Sequence, residues 1–363
     1  MKRTGTATSP LHGGHCPPWL FRHMQQLSAA MVEAMILDYG PRTVLERFSD
    51  PAWFQAFGCV LGFDWHSSGL TTVVLGALKE GWGERAHEYG LYIAGGKGRT
   101  SLKTPQEIVD VGMREALNVS ADRLVEVSRL TAKVDNALVQ DGYDLYHHVL
   151  LFDRDGTWTV VQQGMKPEAQ LARRYHWFSE TVRTFTTAPH QGIAGRPEAI
   201  VLDLTHPDNE PAHRASLDLI RDPREALRAL ISLHEAQDGS RHLHLPYPHQ
   251  VPSPRYFDKV LTQLYERPPQ DYEDLVLTPG VGQSTLRALA MVAEVIHGTP
   301  LTYQDPVRYS FAHGGKDGTP FPIQRADYTH TIHSLELAIR HARLGQTDRL
   351  RAFQRLSLLA PSD

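Results

Sequence analysis

The chain has 363 residues, 41% hydrophobic and 21% charged, with a formal net charge of −4; this balance excludes global disorder and leaves room for two or three domains at roughly 100–200 residues each. Two cysteines, Cys16 and Cys59, exclude a disulfide framework and a four-cysteine zinc site, and no apolar run reaches the ~18 residues that span a bilayer. Slight acidity confines any nucleic-acid-binding face to a local one, because tight non-specific binding rests on many phosphate contacts.

Met1 to Pro10 reads as a polar tail without the apolar stretch of a secretory signal, which with the cysteine count fits a reducing cytoplasm. Leu20, Met24, Leu27, Met31 and Met35 recur at helical spacing and predict a helix over Trp19–Asp38. A helix pair follows around Pro51. Next comes a turn-like Gly62–Gly69 segment, then a helix over Leu70–Glu80 with Ser67 or Ser68 as its N-cap. Leu91–Ile93 reads as a short strand running into a basic glycine loop. In that loop Lys97 and Arg99 suit phosphate binding. Thr104 and Glu107 have capping-box spacing, and Ala121–Leu138 reads helical.

Strands are expected at His148–Phe152 and Trp158–Gln162, joined by an Asp-Arg-Asp-Gly turn at 153–156, and a third at Ala199–Leu204. Arg173–Trp177 reads equally as a base-stacking segment or as a helix with Trp177 in a core. From Asp218 helices dominate, and the proline-rich 245–254 stretch reads as a linker. The expected fold is α+β: a helical region over 1–90, an α/β region over 91–245 with a β-hairpin at 148–162, and a helical C-terminal domain over 255–363.

Within that last region, Thr278-Pro279-Gly280-Val281-Gly282-Gln283-Ser284-Thr285 separates two amphipathic stretches. Pro279 ends one helix, Gly280 and Gly282 supply backbone freedom, and Val281 can plug the gap between helices. The pattern over 270–298 resembles a helix-hairpin-helix, whose amides suit a phosphate oxygen. It makes Gly280, Val281, Gly282, Gln283, Ser284 and Thr285, with Lys97, Arg99 and Lys316, candidate DNA contacts.

Chemistry is expected around the central hairpin. Lys133, Asp135, Asp141, Asp153 and Gln163 form the candidate catalytic set, with Asp135, Asp141 and Asp153 holding a divalent Mg or Mn ion, as in metal-dependent nucleases. Asp305 is the alternative catalytic acid: in glycosylases built on such a hairpin an aspartate stands at a similar distance, although Ser284 replaces the lysine of lyase-type members. The 20 histidines recur in pairs, including His12/His15, His147/His148, His242/His244 and His330/His333, and read chiefly as surface residues. Asp64/His66 and His206/Asp208 read as metal pairs or, more commonly for such spacing, as turns or caps.

Several phrases together are similar to family 763 of the domains of unknown function, shared by archaea and some bacteria. They include Leu11-His12-Gly13-Gly14, Gly62–Gly69, Ala94–Gly98, Ala132–Asp135, Val139–Gly142, Val161–Met165, the hairpin, and Ser310–Gly318. The likeness runs from about residue 10 to 330, with His15 where lysine is more usual, and it implies no particular activity. The expectation from sequence is a DNA-binding, structure-specific nuclease of repair or processing, with a glycosylase and a non-catalytic DNA-binding scaffold as the alternatives. It has no membrane partner and no disulfide-linked partner.

Overall fold

A computed structural model describes residues 9–10, 16–63, 68–239, 253–307, 333, 336–337, 339–340 and 346–357. Asp64, His66, His12, His15, His242, His244, His330, Lys316 and almost all of the proline-rich 245–254 stretch lie outside them.

The first helices are α1 (Pro18–Tyr39), α2 (Pro41–Ser49), α3 (Pro51–Val60) and α4 (Gly69–Trp82). Proline stands in the first turn of α1, α2 and α3, where its missing N–H has no intrahelical role. Asp50 caps α3, its carboxylate accepting from the Ala52 and Trp53 amides at 2.8 and 3.2 Å. Ser68 makes no such cap on α4. Helix α1 lies against α4 so closely that Gly81 has no room for a side chain; a Cβ there would sit 2.2 Å from the Gln25 carbonyl oxygen.

After α5 (Arg85–Tyr89) comes a mixed layer: β2 (Leu91–Lys97), α6 (Thr104–Arg114), α7 (Ala121–Ala137), β3 (Val139–Gln140), β4 (Asp144–Asp153), β5 (Trp158–Lys166), β6 (Leu171–Phe178), β7 (Gly192–Ala194) and β8 (Leu202–Asp203). With β1 (Ser9–Pro10) the main sheet is antiparallel in the order β1-β6-β5-β4-β2, and β7 adds to β6. Both faces are covered. Leu150, Phe152, Trp158, Val160 and Trp177 enter one core with α6 and α7, while Val149, Leu151, Val161 and Phe178 enter another with α1–α4. This alternation is the period-two pattern of a strand buried on both sides.

The two hairpin strands form where the alternation and the Asp-Gly turn predict them. Gly156 adopts φ +86°, and Asp153 accepts from the Asp155 and Thr157 amides. Three expectations change. Gly95 and Gly96 are strand residues with φ of +101° and +154°, not a loop. A Cβ on Gly95 would lie 2.2 Å from the His148 carbonyl oxygen, so the close approach of β2 and β4 requires glycine. Thr104 and Glu107 form no capping box: Glu107 accepts instead from Gly95 N and Lys79. Arg173–Trp177 is the centre of β6, neither helix nor exposed platform, with Arg173, Tyr175 and Trp177 on one face and Arg174 and His176 on the other.

Helices α8 (Glu210–Arg221), α9 (Pro223–Gly239), α10 (Pro254–Glu266), α11 (Tyr272–Leu277) and α12 (Gln283–His297) share the core of α6 and α7. Helix α13 (Gln346–Ser357) packs on α3. Among the described residues no helix is long and apolar enough to cross a membrane, and Cys16 and Cys59 form no disulfide.

Gly81→Ala is expected to cost about 2 kcal/mol or more through the clash with Gln25. Gly76→Ala, with open space around it on the same helix, is expected to add roughly 0.5–1 kcal/mol. Urea unfolding of the two variants checks both signs.

Candidate functional site

Asp135 sits on the sheet-facing side of α7 at zero exposure. An unpaired carboxylate there would carry its full desolvation cost, and donors surround it. Its Oδ2 accepts from Gln162 Nε2 at 2.5 Å and Trp177 Nε1 at 3.0 Å; its Oδ1 lies 2.5 Å from His190 Nε2. Gln162 carries the chain onward: its Oε1 meets His148 Nδ1 at 2.7 Å, and His148 Nε2 meets Ser128 Oγ at 2.9 Å. Burial pushes the Asp135 carboxyl up, and His190, Trp177 and Gln162 oppose the rise. Gln162 Nε2 and Trp177 Nε1 can only donate, which holds Oδ2 as an acceptor and favours the ionised carboxylate, to which His190 donates Nε2–H.

His190 is thereby fixed as a tautomer, with Nδ1 left to accept. Trp177 packs edge-on against its ring at 4.6 Å between centroids and Tyr175 lies at 6.2 Å. His190 lines a cleft of about 190 Å³ together with Ile193, Asp203, Thr205, His206 and Asp305. Asp203, the last residue of β8, accepts through Oδ1 from the Thr205 amide at 2.9 Å and hydroxyl at 2.6 Å; its Oδ2 accepts no hydrogen bond among the described residues. Burial raises its carboxyl above the usual range, against the Thr205 bonds and nearby His190 and His206. His206 caps the following turn, its Nδ1 accepting from Asp208 N at 3.2 Å, which leaves the proton on Nε2. Ala188, also in the lining, is held at φ +43° with its amide on the Thr205 carbonyl. A non-glycine residue in that region is strained, and such strain clusters at functional sites.

A second buried charge cluster closes the cleft's other side. Arg173, fully buried, donates to Asp141 at 2.8 Å and to both oxygens of Asp305 at 3.1 and 2.7 Å. Asp305 also accepts from the Glu198 and Val307 amides. Asp141 further takes Tyr175 OH at 2.7 Å and the Tyr143 amide.

The turn between α11 and α12 is the other feature. Gly280 has φ +87°, Val281 is 1% exposed between the helices, and Gly282 is the N-cap of α12 with open space where a side chain would stand. Every carbonyl from Thr278 to Gln283 is engaged. Thr278 O accepts from Val281 N, Pro279 O from Gln263, Gly280 O from Tyr256, Val281 O from Lys133, Gly282 O from Leu286 N and Gln283 O from Gln140. The amides of Gly282, Gln283 and Ser284 meet no acceptor among the described residues. Carbonyls that are all engaged beside amides that have no acceptor are the polarity that suits an anion. Gln140, which also accepts from Arg287 at 2.6 Å, ties this turn to the cleft: it pairs with Leu202 in the β3–β8 ladder, next to Asp203.

The residues singled out from sequence fall in several places. Asp135 and Asp141 lie in neighbouring clusters bridged by Tyr175 and His190. Asp153 caps the hairpin turn, five residues along β4 from His148 and so about 17 Å away. Lys133 is spent on the Val281 carbonyl, and Gln163 faces the other side of the sheet, donating to Ser68 O. Lys97 and Arg99 are exposed, Lys97 lying 6.0 Å over Tyr146. Ser284 is exposed and Thr285 buried. Among the described residues no three histidine, cysteine, aspartate or glutamate side chains are grouped to hold a metal ion. Sequence reasoning missed His190 and Asp203; of the two readings it gave His206/Asp208, metal pair or cap, the structure shows the cap. The histidine pair noticed in the sequence at 147–148 is buried rather than exposed.

A family model described as "Protein of unknown function (DUF763)" matches residues 5–323. No curated protein and no solved structure matches the chain.

Two predictions follow from the buried groups. Arg173→Met removes the cation from Asp141 and Asp305 and is expected to cost about 3–5 kcal/mol in urea unfolding. Burial lowers His148 and His213 to about 4 each, below the ~6.5 of an unfolded chain. The unfolded state therefore binds more protons between those values. Their contribution is complete above pH 6.5 and is lost as pH falls toward 4, by up to about 1.4 kcal/mol per unit per histidine. Thermal unfolding across pH 4–7 checks this, and His213→Gln is expected to flatten the curve.

Proposed function

This chain belongs to the DUF763 family, and we propose that it binds the phosphate backbone of DNA through the turn at 279–285, as a protein of DNA repair or processing. The observation that carries this reading is the polarity of that turn: its carbonyls are engaged by Lys133, Gln140, Tyr256 and Gln263, and the amides of Gly282, Gln283 and Ser284 meet no acceptor among the described residues at the start of a 15-residue helix. A phosphate oxygen is the ligand such a surface suits, and the proline-glycine-valine-glycine pattern of a helix-hairpin-helix supports the same reading. Few contacts are made this way, in keeping with a chain of net charge −4.

The metal-dependent nuclease draws no support from the arrangement, since Lys133 and Asp153 are committed elsewhere. The base-excising alternative gains one observation: Asp305 lines the cleft, although its carboxylate is held by Arg173.

Gly282→Glu places a carboxylate in front of the amides without filling occupied space. Gel-shift titration on single-stranded, duplex and branched DNA is expected to show at least a tenfold loss of affinity in this variant, with unchanged thermal stability and a shallow dependence on salt. Equal binding by Gly282→Glu and the unaltered chain would falsify the assignment.

A further inference from the structure

We propose that the cleft between His190 and Asp203 is a catalytic site that hydrolyses the N-glycosidic bond of a nucleotide, with His190 activating water and Asp203 serving the departing base. For its substrate this rests on the backbone-binding reading above; the residues themselves are argued from the cleft.

Its size comes first. About 190 Å³ is below the ~300–1,000 Å³ of sites for larger ligands and admits one small ring system rather than a whole nucleotide. A base turned out of a strand is a ligand of that size, with its sugar at the mouth. Ile193 and Pro306 offer apolar walls, while His190, Asp203 and His206 supply polar contacts.

The acid–base equipment comes next. Asp135 holds His190 Nε2 at 2.5 Å, so Nδ1 is the free proton acceptor. The fully buried carboxylate behind this histidine, itself held by two further donors, satisfies the core and at the same time fixes the imidazole in one tautomer. Asp203 keeps one oxygen bound by Thr205 and one without a hydrogen bond among the described residues. Its burial favours the acid form.

Electrostatics selects the bond. The cleft is lined by two carboxyl groups, Asp203 and Asp305, and Asp305 already serves Arg173. The carboxylate that Asp203 becomes on giving up its proton stabilises a sugar that gains positive charge in the transition state. In the step, the C1′–N bond breaks and its electron pair leaves with the base. The Asp203 carboxyl proton goes to the departing nitrogen, and the carboxylate so formed faces the cationic sugar. A water oxygen bonds to C1′ and gives its proton to His190 Nδ1. Solvent then returns a proton from His190 to Asp203, and water is the sole co-reactant. The hairpin connects through Gln140 to the ladder that carries Asp203, which fixes the two features relative to each other.

The test uses the full chain. Single-stranded and duplex oligonucleotides carrying normal, deaminated or alkylated bases, and the corresponding free deoxynucleosides, are incubated with it, and released base is measured by chromatography. Release from strands is expected, falling at least 100-fold in His190→Asn and in Asp203→Asn, with gel-shift affinity within twofold. Asp203→Asn preserves side-chain shape and guards against a mere folding defect. It should also remove the alkaline limb of the rate–pH profile, as His190→Asn should remove the acid limb. Strands that bind without releasing any base overturn the catalytic proposal and leave the hairpin reading intact. Free nucleosides cleaved while Gly282→Glu changes nothing support the cleft and overturn the hairpin. Undiminished release in Asp203→Asn also overturns the proposal, and absence of both binding and release overturns both readings.

Discussion

A carboxylate with no access to water is the constraint around which the central layer is arranged. Asp135 must be surrounded by donors or its desolvation goes uncompensated. The donors come from three different strands or loops: Gln162 from β5, Trp177 from β6 and His190 from the segment after it. Their simultaneous reach fixes how α7 is rotated on the sheet. It also fixes the register of β5 against β6, since a slip of one residue would turn Gln162 and Trp177 to the opposite face. The imidazole held at the end of this arrangement is a by-product of core satisfaction that emerges at the surface of a cleft.

Arg173 performs a parallel service a few residues away. It is buried on the same face of β6 and binds two aspartates more than 160 residues apart in the chain, Asp141 and Asp305. One cation thus holds the segment at 304–307 against the sheet. Between the two clusters lies Tyr175, whose hydroxyl serves Asp141 and whose ring neighbours His190. Polar interiors of this kind specify one arrangement because each member has several partners that no other packing would satisfy.

How much of this was legible beforehand follows from which signals are local. The helices α1, α3, α7 and α12 and the hairpin β4–β5 were readable because apolar period, proline position and turn chemistry act within a few residues. β6 was not: Arg173-Arg174-Tyr175-His176-Trp177 alternates in space, but both of its faces are buried and both carry polar residues, so no apolar period marks it. The turn at 278–285 was legible as a pattern, whereas the engagement of its carbonyls depends on residues up to 148 positions away. Asp135, Asp141 and Asp305 were noticed as acidic residues in unusual surroundings. That Arg173 and His190 are their partners was not legible, because nothing in sequence says that positions 32 to 132 residues apart will meet.

The long-range attachment of Asp305 has a consequence for the order in which the protein is made. Asp203, the last residue of the sheet strands, and Asp305 are 102 residues apart (305 − 203), which at about 5–20 residues per second separates their synthesis by roughly 5–20 s. During that interval a nascent chain already contains the whole sheet, and Arg173 has Asp141 as its counter-ion. His190 has Asp135, but the wall that Gln304 to Val307 provides does not yet exist. The cleft is completed only when the chain beyond α12 has left the ribosome and returned to Arg173. The protein therefore completes its parts in sequence, with the sheet first, the turn between α11 and α12 next and the cleft last.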